Sequence, residues 1–468
     1  MSRWLFATAA LALWSPARAV VIGGEVRTVD GTPIAGAEVT ASDTEQGVSV
    51  TVYGAEDGRF GLPPLAGSRY EVRARARGHA EQTTTLVVGA HDLFRTTTIV
   101  LEADSEAPGA IGRMAPSPVA DVRTSVLTVW DVGDTGSVLH DVAMAAGDVA
   151  YAVDLSHDLL YRLDVRTGER RAFAIRAGPS PPHPVPAGAR ARPYAVAVAP
   201  DGAVWVTLAF ANVLARFDAA SEAFAIVPQA EGVRPQSLRV DARGRLWYTL
   251  AVSNHVGTYD PVTRAQHVYR LPARTWPREL AVRAVPLAQW LGRLADADPE
   301  RAAEAARLPV PSGIDIAPDG SIWFAQLNDR RIGRLDPDTG AIRMIDTPFP
   351  APRRPRVDSR GRLWVVSAPE GMLARFDPAT EAFATWTLPA TTEGAATPDA
   401  LAVDARTDAV WIGGATIGAL VRFTAEDERF TVYPLPDHVR DAQGVAVDEH
   451  GAVWTCSANP PALIRLEP

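Results

Sequence analysis

Three features of the sequence predict an all-β protein of two domains. Residues 20–102 contain short segments in which apolar and polar residues alternate, and residues 123–468 contain seven copies of a short repeated phrase. Turn signals such as Asp-Gly and Pro-Asp-Gly separate these segments. Alternation with a period of two is typical of half-buried strands. The length of 468 residues also exceeds what one hydrophobic core usually supports.

The composition excludes several classes of function. The formal net charge is -9, and the sequence contains no lysine, so all 46 cationic side chains are arginine. A chain without lysine has neither a Schiff-base lysine nor a P-loop lysine. Its negative charge argues against a nucleic-acid partner. Cys456 is the only cysteine, which excludes an internal disulfide and a thiolate metal cluster.

The first 19 residues have the pattern of a secretory signal peptide. Arg3 precedes an apolar run from Trp4 to Trp14, and the small residues Ala17 and Ala19 precede a predicted cleavage point after Ala19. The apolar run is shorter than the roughly 20 residues that a membrane-spanning helix needs. We therefore expect a mature chain that has no transmembrane segment and is periplasmic or secreted.

The segment 20–102 predicts a small β-sandwich. In the stretch YEVRARARGH, every second residue from Tyr70 to Ala76 is apolar and the residues between them are charged. The phrases GEVRTVDGTPIAGAEVTASD and EDGRFGLPPLAGSRYEVRARARGH resemble the carboxypeptidase regulatory-like domain, a transthyretin-like sandwich. This resemblance implies an accessory module without catalytic residues. Residues 103–122 contain three prolines and predict an interdomain linker.

The segment 123–468 predicts a seven-bladed β-propeller. The phrase IDIAPDGSIWFAQLNDRRIGRLDPDTG recurs in varied form at a period of about 42 residues, with four short strands in each copy. The last copy ends at Pro468 without an outer strand, whereas LTVWDVG at residues 127–133 has the outer-strand pattern. We therefore expect this N-terminal strand to complete the seventh blade and close the ring. One aromatic residue marks each copy: Tyr151, Trp205, Trp247, Trp323, Trp364, Trp411 and Trp454.

Two insertions lie on one face of the predicted propeller. Residues 276–309, between blades 3 and 4, predict two short helices, the second of which begins near Asp298. A proline-rich loop at residues 178–192 occupies the same type of connection after blade 1. Loops on one face of a rigid scaffold often carry function. The apolar residues that recur at helical spacing in this insertion are Leu280, Ala284, Leu287, Leu291 and Leu294.

The register of the repeat predicts polar residues at the mouth of the central funnel. The innermost strand of each copy is expected to begin eleven residues before the marker aromatic, or twelve residues before it in the sixth copy. The residue at this position is polar in all seven copies. We expect these residues to bind a peptide-like or glycan-like ligand. The same face is expected to receive Asp154 and Gln326, each three residues after its marker aromatic. The residues at the first position are His140, Tyr194, Gln236, Ser312, Arg353, Asp399 and Gln443.

The blade phrase resembles the virginiamycin B lyase (streptogramin lyase) family over about residues 125–468. Enzymes of that family open a cyclic depsipeptide at its ester by elimination, with magnesium, near the central funnel. One blade of the family carries a histidine, then a glutamate, and then a second histidine two residues further on. Here His140 and Asp154 stand at the first two of these places, and His157 lies three residues beyond Asp154.

Two functions are therefore expected. The first is a binding or scaffold protein of the cell envelope without a required cofactor, in which His140 and Asp154 satisfy each other's hydrogen bonds at the channel mouth. The second is a lyase-like enzyme in which His140 is a general base, Asp154 orients it, and His157 is a further candidate catalytic residue. The resemblance implies Mg²⁺ as the cofactor of this second function. The sequence does not predict which residues would hold the metal.

Overall fold

The computed structural model describes residues 20–43, 47–55, 57–63, 65, 68–76, 79–88, 94–103, 120–123, 125–176, 190–290, 308–389, 396–414, 417–436, 438–439 and 441–468. The chain divides into two compact units between Ala110 and Ile111. Three sequence predictions fall outside the described residues: the signal peptide at residues 1–19, most of the proline-rich loop at residues 178–192, and the second helix near Asp298.

The first unit contains two β-sheets. Its strands are β1 (Val21–Thr28), β2 (Glu38–Asp43), β3 (Val48–Tyr53), β4 (Arg59–Gly61), β5 (Arg69–Arg75), β6 (Gln82–Val87) and β7 (Phe94–Leu101). Strand β1 pairs with β4 and β7, whereas the other sheet has the order β3-β2-β5-β6. In β5, Tyr70, Val72 and Ala74 are buried while Arg69 and Glu71 are exposed. This confirms the alternation that predicted a sandwich.

The second unit is a seven-bladed propeller, and each of its first six blades contains four antiparallel strands in chain order. The inner strand of each blade neighbours the inner strand of the next blade, and the ring returns from the seventh blade to the first. The strands of blades 1 to 3 are β10 (Leu139–Ala145), β11 (Val149–Asp154), β12 (Leu159–Asp164), β13 (Arg170–Ala174), β14 (Pro193–Val198), β15 (Val204–Leu208), β16 (Val213–Asp218), β17 (Ala223–Pro228), β18 (Pro235–Val240), β19 (Leu246–Leu250), β20 (His255–Tyr259) and β21 (Gln266–Arg270). Those of blades 4 to 6 are β22 (Pro311–Ile316), β23 (Ile322–Gln326), β24 (Arg331–Leu335), β25 (Ile342–Asp346), β26 (Pro352–Val357), β27 (Leu363–Ser367), β28 (Met372–Asp377), β29 (Ala382–Thr387), β30 (Pro398–Val403), β31 (Val410–Gly414), β32 (Ala419–Thr424) and β33 (Arg429–Pro434).

The seventh blade combines both ends of the propeller sequence. Its strands are β34 (Val445–Val447), β35 (Val453–Ala458), β36 (Pro461–Glu467) and β9 (Val126–Asp131), and β9 pairs antiparallel with β36. The predicted ring closure by an N-terminal strand is therefore confirmed. A short strand, β8 (Ala120–Val122), pairs parallel with β33 at the edge of blade 6. The end of the predicted linker at residues 103–122 thus belongs to the propeller, because it pairs with β33, the outer strand of blade 6.

The repeated phrase encodes a turn that holds the marker tryptophan in place. In blade 5, Asp358 accepts hydrogen bonds from the backbone N–H groups of Arg360 and Arg362 and, through Oδ2, from Nε1 of Trp364 at 2.9 Å. Gly361 completes the turn with a φ of 77°, a conformation that favours glycine. The Trp364 side chain is fully buried and packs with residues of blades 5 and 6. Asp241 and Asp448 bond Trp247 and Trp454 in the same way.

One helix of the predicted insertion is described, α1 (Trp276–Trp290). Its Val282 and Val285 are buried against apolar residues of blades 3 and 4, including Val252 and Val310. The predicted apolar face was wrong at its described positions, since Leu280 is 58% exposed and Ala284 is also exposed. Within the described residues, no helix is long and apolar enough to cross a bilayer.

Candidate functional site

We call the seven predicted funnel residues the channel mouth. Six of them are the second residue of an inner strand, and Gln443 lies two residues before β34. Five of these strands begin with proline, which suits a first strand position because it has no N–H to donate. In blades 1 to 6, the ladder to the second strand is interrupted by a β-bulge next to the channel-mouth residue. A bulge turns a side chain away from the regular alternation of the strand. The spacing of the repeat did not predict these bulges, and ligand binding by these residues stays a prediction.

His140 and Tyr194 form one side of the channel mouth. Nδ1 of His140 lies 2.7 Å from the carbonyl oxygen of Tyr194, and the two ring centroids are 4.1 Å apart. Because a carbonyl oxygen only accepts, Nδ1 carries the proton and the neutral ring presents a lone pair at Nε2. Burial, assisted by the charge of Arg354, lowers the pKa of His140 below its usual value of 6.5. The half-buried imidazole is therefore neutral near pH 7.

Arg353 and Asp399 form another side of the channel mouth. Nη1 of Arg353 donates to Oδ1 of Asp399 at 2.9 Å, and both side chains are partly exposed, at 24% and 32%. The adjacent Arg354 is buried and donates from Nε to the carbonyl oxygen of Asp399 at 3.0 Å. The charges of Arg354 and Asp399 both act on His140. Residues of blades 1, 5 and 6 thus converge at the channel mouth.

The remaining channel-mouth residues are less available to a ligand. Ser312 donates to the carbonyl oxygen of Pro352 in the next blade at 3.1 Å, and Gln443 donates to Asp441 at 2.9 Å. Gln236 is only 3% exposed. Ser312 thereby links blades 4 and 5. The two partly exposed pairs of the channel mouth are His140 with Tyr194 and Arg353 with Asp399.

The expected pairing of His140 with Asp154 was wrong. Asp154 is fully buried and accepts a hydrogen bond from Nδ1 of His157 at 3.0 Å, while its Oδ1 accepts from the N–H of Val138. Although burial raises the pKa of Asp154, hydrogen bonds from Val138, Ser137 and His157 outweigh it and lower the pKa. The bulge explains the difference. Asp154 faces Leu139 across the ladder, so the bulged His140 points elsewhere.

Gln326 was also expected to face the funnel, and the structure corrects this expectation. Its side chain is fully buried and donates to Oδ1 of Asn254 at 2.8 Å and to the carbonyl oxygen of Pro272. Like Asp154, it pairs with the residue that precedes the bulge, here Pro311. Residues that oppose each other in an antiparallel pair share one face of the sheet. Gln326 therefore faces the packing between blades.

Sequence reasoning missed a second group of inner-strand residues, which we call the channel layer. These residues lie three positions after the channel mouth, and each faces a marker aromatic across the ladder. The spacing that identified the channel mouth would also have found them, eight or nine residues before each aromatic. The channel layer consists of Ala143, Ala197, Arg239, Asp315, Arg356, Ala402 and Ala446.

The residues around His140 and Asp154 do not fit a magnesium ion. Mg²⁺ prefers oxygen ligands in near-octahedral geometry. Both oxygens of Asp154 already accept hydrogen bonds from the protein, and the carboxylate is fully buried. Across the described part of the chain, no group of three or more His, Cys, Asp and Glu side chains could hold a metal ion.

Comparisons with known proteins agree with this architecture. The profile of the virginiamycin B lyase family matches residues 182–465, and that of the carboxypeptidase regulatory-like domain matches residues 21–102. None of the curated proteins that were searched matches the chain at a significant level.

Solved structures of similar fold include virginiamycin B lyases. That of Staphylococcus aureus, in selenomethionine form, has a TM-score of 0.56 and 16% identity, covering 73% of this chain and 99% of its own. A catalytically inactive variant of the Staphylococcus aureus enzyme with quinupristin has a TM-score of 0.56 and 15% identity, covering 73% and 99%. A streptogramin B lyase has a TM-score of 0.56 and 17% identity, covering 73% and 97%. At these identities the structures show a shared fold alone, whereas the family profile spans more than half of the chain. The chain, with its N-terminal carboxypeptidase regulatory-like domain, belongs to the virginiamycin B lyase family.

Proposed function

We propose that this chain is an exported propeller protein that binds a peptide-like or glycan-like ligand at the channel mouth. The observation that carries the proposal is the convergence of His140, Tyr194, Arg353 and Asp399 beside the bulges of four blades, 1, 2, 5 and 6. Bulges are frequent next to binding and active sites, where they aim side chains. Export is supported by the signal-peptide pattern of residues 1–19.

The chemistry of these four side chains suits a polar ligand with apolar faces. Tyr194 and His140 present neighbouring rings, on which the ring of a sugar or an aromatic peptide side chain can pack. Arg353 and Asp399 supply a donor and an acceptor that are partly exposed. A few oriented polar groups among packing surfaces are the usual composition of a small-ligand site.

A matched pair of arginine variants tests this proposal. Arg353→Gln removes the channel-mouth cation, and Arg343→Gln removes an exposed cation that pairs with Glu381 in blade 5. The full chain and both variants would be applied to arrays of cyclic peptides, linear peptides and glycans. We expect the ligands retained by the wild type to be retained by Arg343→Gln and lost by Arg353→Gln. Equal retention by all three proteins would contradict binding at the channel mouth.

A lyase-like reaction is the second candidate, and the neutral state of His140 favours it. In an elimination, a base takes a proton from the carbon next to the one that bears the ester oxygen, a C=C bond forms, and the ester oxygen leaves as a carboxylate. The Nε2 lone pair of neutral His140 could accept that proton. The structure supplies no magnesium site beside this histidine, so no step is assigned to the metal.

Quinupristin, present in one of the related structures, is a suitable test substrate. Elimination opens its ring without a change in mass, whereas hydrolysis adds one water. If His140 is the base, His140→Gln should lower the rate of ring opening by roughly two or more orders of magnitude. Glutamine at the equivalent positions Gln236 and Gln443 indicates that the variant folds. An unchanged rate in His140→Gln would remove the catalytic role.

A further inference from the structure

The channel layer carries its charges on one side. Arg239, Asp315 and Arg356 come from the consecutive blades 3, 4 and 5, while the other four blades contribute alanine. All three charged side chains are partly exposed.

Arg356 lacks the carboxylate partner that Arg239 has. Asp315 accepts from Nε of Arg239 at 3.1 Å through Oδ1 and from the N–H of Val357 at 2.8 Å through Oδ2. Both of its oxygens are therefore engaged. Arg356 donates to the carbonyl oxygen of Pro355 at 2.7 Å, and within the described part of the chain no carboxylate accepts a hydrogen bond from it.

The charges around the channel leave an excess of positive charge on Arg356. The charges of Arg239, Asp315, Arg354 and Asp141 act on it, and burial together with the charge of Arg239 lowers the pKa of Arg356 to about 9. Arg354 differs. Although burial lowers its pKa, the charges of Asp399 and Asp141 raise the pKa above the usual value. Arg356 is therefore the arginine whose charge is less compensated.

The backbone holds this arginine segment in a strained and tightly packed form. Arg354 has a φ of 49°, in the left-handed region that non-glycine residues rarely adopt. The segment also packs against Gly313 of blade 4, where an added Cβ would lie 2.4 Å from Cδ of Pro355 and 3.0 Å from Cα of Arg354. Strain of this kind persists where the surroundings enforce it, and it occurs often at ligand-binding sites.

We infer that Arg356, with Arg354 and Arg239 beside it, forms an anion-binding site that takes a carboxylate or phosphate group of the ligand. The inference deepens the proposed function, on which it rests, by naming one group that the ligand presents. A planar guanidinium offers parallel N–H donors that match the oxygens of a carboxylate or a phosphate. An anion beside Arg356 would add negative charge to that which Asp315 and Asp141 supply.

Calorimetric titration of the full chain with inorganic phosphate and, separately, with succinate tests the site at constant ionic strength. The variants are Arg356→Gln, Arg356→Lys and the control Arg360→Gln, an exposed arginine in the turn at the other end of the same strand. We expect at least one anion to bind the wild type and Arg360→Gln equally and Arg356→Gln at least tenfold more weakly. Arg356→Lys should fall between them because it keeps the charge but loses the planar fork. The anion that binds identifies the source as carboxylate or phosphate.

Three results would overturn the site. Neither anion binds the wild type, Arg356→Gln binds the anion as tightly as the wild type does, or Arg360→Gln loses as much affinity for the anion as Arg356→Gln. The melting temperature without anion gives a further check, because removing an uncompensated charge should leave it unchanged or raise it. A lower melting temperature of Arg356→Gln would show that Arg356 is a structural contact.

The two proposals can fail separately. Array ligands that are lost in Arg353→Gln but bind equally to Arg356→Gln would leave the proposed function intact and remove the anion site. Anion binding that depends on Arg356, without any array ligand that depends on Arg353, would leave the anion site and remove the proposed function.

Discussion

The imidazole of His140 is held in one tautomer by a single hydrogen bond. Nδ1 donates to the carbonyl oxygen of Tyr194, and burial together with the charge of Arg354 lowers the pKa of the ring. A histidine that is neutral when folded gains protons more easily when the chain unfolds. His140 therefore links the channel mouth to the stability of the propeller at acid pH.

The sign of this linkage gives a test at the level of one residue. Above the unfolded pKa of about 6.5, both states are neutral and His140 has no effect on the pH dependence. As the pH falls towards the lowered folded pKa, the unfolded state binds the proton first and stability is lost. Between pH 7.5 and about 5, we expect thermal unfolding of His140→Gln to show a smaller decrease in melting temperature than the wild type. His267→Gln, which changes an exposed histidine of blade 3, is the control.

A decrease in melting temperature that is the same in His140→Gln and the wild type would contradict this account. His255 also has a pKa lowered by burial, so part of the acid sensitivity should remain in His140→Gln.

The positions of the channel-mouth residues could be predicted from the sequence, but their partners could not. Spacing from the marker aromatics places His140 correctly because every blade repeats the same register. The partner of Asp154 depends on a one-residue bulge, which changes the face on which His140 lies. No residue type marks that bulge, since glycine, serine, tyrosine and arginine all occur within or beside bulges in other blades.

Within a blade, the turn that ends the inner strand stabilises the core through one carboxylate. Asp358 is 2% exposed and bonds two backbone N–H groups, Nε of Arg362 at 2.7 Å and the buried indole of Trp364. A buried donor that loses its acceptor costs the free energy of its desolvation. The phrase D-x-x-G-x-x-W thus has a direct energetic cause, which is why it could be recognised in the sequence.

Replacing this aspartate tests the energetic role of the turn. We expect Asp358→Ala to lower the free energy of unfolding of the propeller by about 3 kcal/mol, because it leaves the Trp364 indole and two backbone donors without their acceptor. The control is Asp319→Ala in blade 4, since Asp319 is 55% exposed and pairs with Arg334 rather than with a tryptophan. Asp319→Ala should cost below about 1 kcal/mol. Urea unfolding followed by tryptophan fluorescence measures both, and equal losses would contradict the role given to the turn.

For the helical insertion, the apolar pattern of the sequence was not sufficient to predict which face of the helix is buried. Leucines at helical spacing predicted one face of α1, and the structure buries Val282 and Val285 instead. The buried valines are offset from the predicted apolar residues by only one or two positions along the helix. Which stripe is buried depends on the shape of the loops of blades 3 and 4, and this shape is set by tertiary packing.

For the whole propeller, ring closure is the feature that joins distant parts of the sequence. Strand β9 supplies Leu127, Val129 and Trp130, all nearly fully buried, and Trp130 stacks on Trp454 of the last repeat at 5.5 Å. Full burial of each such side chain contributes about 1.5 to 3 kcal/mol. The closure could be predicted from the sequence because the last copy of the repeat lacks an outer strand, whereas residues 127–133 have the outer-strand pattern and precede the first copy.

Two truncations test the closure. Deleting residues 1–133 removes β9 and opens the ring, so we expect a lower melting temperature and a broad, less cooperative transition. Deleting residues 20–102 removes the first unit but keeps β9, and its propeller should melt like that of the full chain. Differential scanning calorimetry compares them, and similar melting of both truncated proteins would be inconsistent with closure by β9.

The central claim is that ligand binds at the channel mouth, and histidine footprinting tests it most directly. Diethyl pyrocarbonate modifies neutral imidazoles, and mass spectrometry would follow its rate at His140, with the exposed His267 and His450 as internal controls. The protein would be labelled with and without a saturating amount of the ligand that the wild type retains best on the arrays. We predict that this ligand slows the labelling of His140 about tenfold or more while His267 and His450 react at unchanged rates. Labelling of His140 at the same rate with and without the ligand would contradict binding at the channel mouth.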